Sequence, residues 1–130
     1  MHDARRAPRT IAERIHERDV MRRLVRDRAH PGAQGARLTL LARDESRLRD
    51  VVPGARTLSV DIRDRDAVLA AFDEPLDALV ANAGIGGPNE HGDGDRFDDI
   101  VQTNVYGTYW CARAAEQQLP DGGRIVVTSS

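Results

Sequence analysis

The 130-residue chain has no lysine: all nineteen of its basic residues are arginine. It has one cysteine, Cys111, which excludes an internal disulfide and any Cys-rich zinc site and suits a reducing compartment. Its four histidines (His2, His16, His30 and His91) are scattered without ligand spacing, so no metal site is expected. No apolar run approaches the ~18 residues of a bilayer span. The start of the chain offers no apolar stretch for a secretory signal. Acids at Glu13, Glu17, Asp19 and Asp27 and the lack of serine there argue against a transit peptide. A cytoplasmic location and no membrane partner are therefore expected. The length suits a single domain with a real core.

Charge is unevenly divided. Residues 1–30 carry nine arginines and five acids, and the remainder carries ten arginines and sixteen acids. The first segment has the composition of a basic arm for nucleic acid or an anionic membrane. The interleaved acids favour a solvated helix instead, so no nucleic-acid partner is expected. Thr10–Ala29 can be drawn as such a helix, with Ile11, Ile15, Met21 and Val25 on one side but Val20 and Leu24 opposite.

From Arg37 the pattern becomes regular. "RLTLLA" (residues 37–42), "RTLSV" (56–60), "LDALVA" (76–81) and "RIVVT" (124–128) read as strands. Between them lie "RDESRLRDVV", the helix pattern Asp64–Phe72, and a long helix pattern Phe97–Leu119 with apolar spacing at Phe97, Ile100, Val101 and Val105. Alternating strands and helices imply parallel strands joined by right-handed crossovers, the doubly wound α/β class. The strands are continuously apolar, as in a sheet covered on both faces.

Ligands of such sheets bind beyond the carboxyl ends of the strands. Four features fall there. Arg43 offers a cation to a ribose phosphate, and Asp61 a carboxylate to an adenine amine. Asn82-Ala83-Gly84 combines an amide able to tie strand ends together with a glycine permitting close approach. Ser129 and Ser130 come after the last strand. Each alone also reads blandly, as a surface arginine, a helix cap, an Asn-Gly turn or a terminal serine; their succession at strand ends does not.

These residues, within "GARLTLLARDESRL", "LSVDIRD", "DALVANAG", "TNVYGTYWCARAA" and "GGRIVVTSS", resemble the short-chain dehydrogenase/reductase family in order and spacing from Gly35 to Ser130. The resemblance implies a partial Rossmann-type sheet and an NAD(P)-dependent oxidoreductase interconverting an alcohol and a carbonyl. It implies that Asp61 and Ile62 contact adenine and that Asn82, Ala83 and Gly84 line the adenosine. Asn104 would be the helix asparagine of a proton relay, and Ser130 the serine that binds the substrate oxygen. Arg43, where an acid would repel a 2′-phosphate, favours NADP over NAD. The intact relatives are expected to be homo-oligomers, with Tyr106 and Tyr109 as packing or subunit-interface residues.

Two departures accompany the matches. The family opens with a strand and a Gly-rich turn whose amides hold the pyrophosphate, and residues 1–36 have no such glycine cluster. It also places a Tyr-x-x-x-Lys pair beyond the serine, in which the lysine lowers the tyrosine pKa; no lysine exists here. The chain is accordingly expected to be a truncated, inactive fragment, or alternatively a non-catalytic nucleotide-binding or regulatory module. It divides into an atypical Arg-rich segment, 1–36, and a partial dinucleotide-binding domain, 37–130. Arg22 to His30 can be encoded CGG CGC CTC GTC CGG GAT CGG GCA CAC, which one base along reads Gly-Ala-Ser-Ser-Gly-Ile-Gly-His. Residues from about Ile11 to about Gln34 are thus either out-of-frame translation or a divergent basic helix. With the first strand missing or altered, and unless Asp19–Val25 supplies a substitute strand, two central strand edges are expected to lie open, giving a marginal monomer.

Overall fold

Five runs of the chain are extended and lie side by side in one parallel sheet. The structure, a computed structural model, describes residues 10–14, 37–49 and 52–129. The strands are β1 (Thr10–Arg14), β2 (Arg37–Ala42), β3 (Arg56–Ser59), β4 (Leu76–Ala81) and β5 (Arg124–Val127), in the order β3-β2-β1-β4-β5. Short helices α1 (Ser46–Arg49) and α2 (Arg65–Ala71) lie in the crossovers from β2 to β3 and from β3 to β4. The last is one continuous helical rod built from α3 (Phe97–Val101), a π-helical turn (Gln102–Gly107) and α4 (Thr108–Glu116). The α/β, doubly wound parallel class expected from the sequence is the fold observed.

Strand β2 is buried on both faces. Leu41 enters the larger core with Val60, Ile62, Val68, Phe72, Leu79, Cys111, Ala114 and Ala115, beneath α2 and α4. Its neighbour Leu40 points the other way, against Leu48 of α1 and Val52. Asp64, which the sequence pattern placed inside the helix, caps α2 instead, its Oδ1 accepting from the N–H groups of Asp66 (3.0 Å) and Ala67 (3.1 Å). Strand β5 has β4 on one side, and its Ile125, Val126 and Val127 are exposed.

The first segment departs from expectation. Thr10–Arg14 is a strand rather than the start of a helix, and it occupies the middle of the sheet. Ile11 pairs with Leu38 of β2 and Ala78 of β4, and Glu13 with Leu40 and Val80. The first strand is therefore altered in sequence but present, and the edges of β2 and β4 that were expected to lie open are paired. "TIAER" carries little strand pattern of its own; two neighbouring ladders impose the extended state. The rest of the drawn helix, through Ala29, and the Arg22 to His30 stretch lie outside the described residues.

Gly107, at the end of the π-helical turn, is buried against Ile62, itself 1% exposed. A Cβ at Gly107 would run into the Ile62 side chain as deep as its own Cβ, at 2.9 Å. Gly107→Ala should therefore destabilise the fold by about 1–3 kcal/mol through overpacking. Urea unfolding of the variant checks this, and pairing it with Ile62→Ala should recover part of the loss.

Candidate functional site

Parallel strands bring all their carboxyl ends to one edge of the sheet, and residues at those ends are joined there by side-chain and turn hydrogen bonds. Beyond β2 and β3, the Val60 N–H donates to the Ala42 carbonyl (2.9 Å) and the Ser59 hydroxyl to the Arg43 carbonyl (2.9 Å). Beyond β4 and β5, the Thr128 N–H donates to the Ala81 carbonyl (3.1 Å) and its hydroxyl to Asn82 Oδ1 (2.5 Å). Asn82 thus ties two strand ends together through Thr128, a residue not singled out from the sequence.

Asp61 and Ile62 sit in the turn after β3 and do different work. Ile62 is buried in the core below Gly107. The Asp61 carboxylate lies at the surface and is gripped by Arg63. Arg63 donates to it from its main-chain N–H (3.0 Å to Oδ1), from Nε (3.1 Å to each oxygen) and from Nη2 (2.7 Å to Oδ2). These hydrogen bonds hold the Asp61 carboxyl below its ordinary value of 3.8, against the opposing effect of burial, and the charges of Arg63 and Arg43 assist. Arg43 is exposed at the end of β2 and, among the described residues, has no salt-bridge partner.

Asn104 lies in the π-helical turn, the kind of irregularity that recurs at functional sites. Its side chain faces the loop after β4. Oδ1 accepts from the Ile85 N–H (2.8 Å) and Nδ2 donates to the Ile85 carbonyl (2.8 Å). The amide closes on the backbone as a strand neighbour would, and so fixes the path of the chain after Gly84. Gly84 must be small for this: a Cβ there would stand 3.3 Å from Asn104 Oδ1. Ala83 packs against the larger core.

The edge therefore brings together Arg43, Asp61, Asn82, Gly84 and Asn104, with Ile62 and Ala83 as apolar support. Ser130 lies outside the described residues. Tyr106 and Tyr109 are 46% and 52% exposed rather than packed inside. Arg63, Ile85 and Thr128 were not legible as site residues. Arg63 and Thr128 are one or two residues from features that were, and only the folded turns aim them. Among the described residues no group of three or more His, Cys, Asp and Glu could hold a metal ion, and no helix is long and apolar enough to cross a membrane.

The residues fit the adenosine end of a dinucleotide. An ionised acceptor stands beside an exposed cation, and a backbone turn without a side chain at Gly84 allows close approach. Because Asp61 titrates lower in the folded chain than in the unfolded one, it stabilises the fold above its unfolded pKa and stops doing so as pH falls through the lower folded value. Arg63→Ala removes that contribution. Urea unfolding should show a smaller stability loss for the variant than for the parent between about pH 5 and about pH 2.

Comparison with known proteins shows the family. The family model described as short chain dehydrogenase matches residues 27–130. The short chain dehydrogenase claC of Passalora fulva is 31% identical over 117 residues, covering 78% of this chain and 44% of that protein. The cyclic-di-GMP-binding biofilm dispersal mediator protein of Escherichia coli (strain K12) is 37% identical over 81 residues, 59% of this chain and 34% of its own length. Among solved structures, a short-chain type dehydrogenase/reductase from Mycobacterium marinum superposes with a TM-score of 0.75 at 25% identity, over 94% of this chain and 56% of the other. A short chain dehydrogenase from Burkholderia cenocepacia J2315 in complex with NADP gives 0.73 at 28% identity, over 95% and 56%. The chain thus spans less than half the length of these curated relatives. With the family model matched over most of its residues and the parallel sheet in place, the chain belongs to the short-chain dehydrogenase/reductase family of oxidoreductases.

Proposed function

We propose that this chain carries the cofactor-binding half of an NAD(P)-dependent oxidoreductase that interconverts an alcohol and a carbonyl, and that it takes NADP in preference to NAD. The reading is carried by the Asp61 carboxylate, kept ionised by Arg63 and standing beside Arg43 at the carboxyl edge. Asp61 accepts from the adenine amine, with Ile62 as apolar support, and Asn82, Ala83 and Gly84 line the adenosine. The exposed Arg43 guanidinium meets the 2′-phosphate. When bound, the nicotinamide supplies hydride-transfer chemistry.

Two further residues are assigned to the reacting end. Ser130 holds the substrate oxygen. Asn104 belongs to the proton relay, and with both amide atoms committed to Ile85 its side chain acts by positioning, so any proton passing this residue uses its main chain. No lysine exists in these 130 residues to lower the pKa of a tyrosine. By itself the chain therefore binds cofactor without turnover, as a nucleotide-binding fragment would. Residues 1–36 differ from the rest in their Arg-rich composition, although Thr10–Arg14 is the central strand of the sheet, and the gene sequence over codons 11–34 decides whether this segment is read out of frame. The protein acts in the cytoplasm. Exposed Phe97, Val105, Tyr106 and Tyr109 form a face for a second copy.

Titration of the 130-residue chain with NADPH and NADH tests the cofactor assignment. NADPH should bind at least about tenfold more tightly, with an advantage that shrinks as salt rises. Arg43→Glu should reverse the order, and equal binding of both cofactors by the parent chain removes the NADP assignment. Sedimentation should show self-association that Tyr109→Glu weakens; a monomer at high concentration removes the oligomer.

A further inference from the structure

Arg63 was not singled out by the family resemblance, and the cofactor reading uses it only through its charge beside Asp61. It brings three donors to one carboxylate: the main-chain N–H, Nε–H and a terminal Nη2–H. An ionised carboxylate offers about four lone-pair sites, and with Nε–H shared by both oxygens the grip leaves little of that acceptor capacity open on Asp61. The remaining arm of the guanidinium is anchored in turn, with Nη1 donating to Asp99 Oδ1 at 2.8 Å. Asp99 lies in the first turn of α3. The turn after β3 is thus held at two points along the same helical rod, by Ile62 beneath Gly107 and by Arg63 on Asp99. Between those points the rod carries Asn104.

We propose that Arg63, braced by Asp99, is a positioning residue for base recognition: it fixes the Asp61 carboxylate so that its remaining acceptor capacity selects a 6-aminopurine over a 6-oxopurine. This rests on the reading of Asp61 as the adenine contact and goes beyond it. A carboxylate free to rotate accepts from whichever donor is near. A clamped one accepts from the exocyclic amine and sets its lone pairs against a keto oxygen at the same place. The fork matters as well as the charge, because only a planar guanidinium occupies both oxygens and Asp99 together. Holding the carboxylate in place before the base arrives also lowers the ordering cost of binding.

The test titrates the 130-residue chain with NADPH and with its hypoxanthine analogue, following binding by calorimetry, with circular dichroism confirming the fold of each variant. The parent chain should prefer NADPH by about tenfold or more, as expected where a site built for a donor meets an analogue lacking it. Arg63→Ala should compress the preference to within about threefold. Arg63→Lys should fail to restore it, and Asp99→Asn should lower it part of the way; these two carry the test if the alanine variant does not fold. If Arg63→Ala weakens both ligands equally, or leaves the preference intact while Asp61→Asn abolishes it, the clamp is overturned and the adenine contact stands. If the parent chain shows no preference, or binds neither ligand, the clamp falls together with the Asp61 reading.

Discussion

A parallel strand has no hairpin partner beside it in sequence, and its ladder must be supplied by segments brought from elsewhere. In this chain the constraint is sharpest at β1, which pairs with β2 along one edge and with β4 along the other, Ile11 facing Leu38 and Ala78. Without that double ladder, β2 with β3 and β4 with β5 would be two separate pairs. The carboxyl ends bearing Arg43 and Asp61 would then have no fixed relation to those bearing Asn82 and Thr128. The site is an outcome of register: strands paired in parallel end together, and the residues just past each strand are delivered to one edge.

Above that edge, the helical rod does the finer placement. It is interrupted by a π-helical turn, and Asn104 within the turn grips the Ile85 backbone from both sides of its amide. Gly107 closes the turn and lets Ile62 fill the space beneath. Arg63 reaches across to Asp99. The rod is thereby attached to the loop after β4 and to the turn after β3, the two places where a dinucleotide's adenosine would lie. The Asn104 bonds to Ile85 are part-buried, whereas the exposed ion pairs of Arg63 with Asp99 and of Arg113 with Glu116 contribute little stability by themselves.

Much of this was legible in the residues. "LDALVA" reads as a strand with the bounds it has, and the helix pattern Asp64–Phe72 lies within a residue of α2 at each end, because apolar periodicity is a local property. Asn82 and Asp61 were legible as residues of the carboxyl edge because a polar group directly after an apolar strand has a known destination in a parallel sheet. The strand at Thr10–Arg14 was not, since "TIAER" is extended by its neighbours and not by its own side chains. The π-helical turn was also hidden: "QTNVYG" has ordinary helical spacing, and only the meeting of Asn104 with Ile85 and of Gly107 with Ile62 gives reason for it.

Sequence by itself determined the class of sheet, the four apolar strands from Arg37 onward, and the identity of the polar groups at their carboxyl ends, since strand and turn signals act over a few residues. It also determined that no lysine is available to this chain. Tertiary structure alone decided which segment fills the centre of the sheet and which groups hold the polar residues in place. Arg63 on Asp61 and Asp99, Thr128 on Asn82, and Asn104 on Ile85 depend mostly on contacts between residues 19 to 46 positions apart. Pairings at such separations arise from register and helix packing, which no local pattern records.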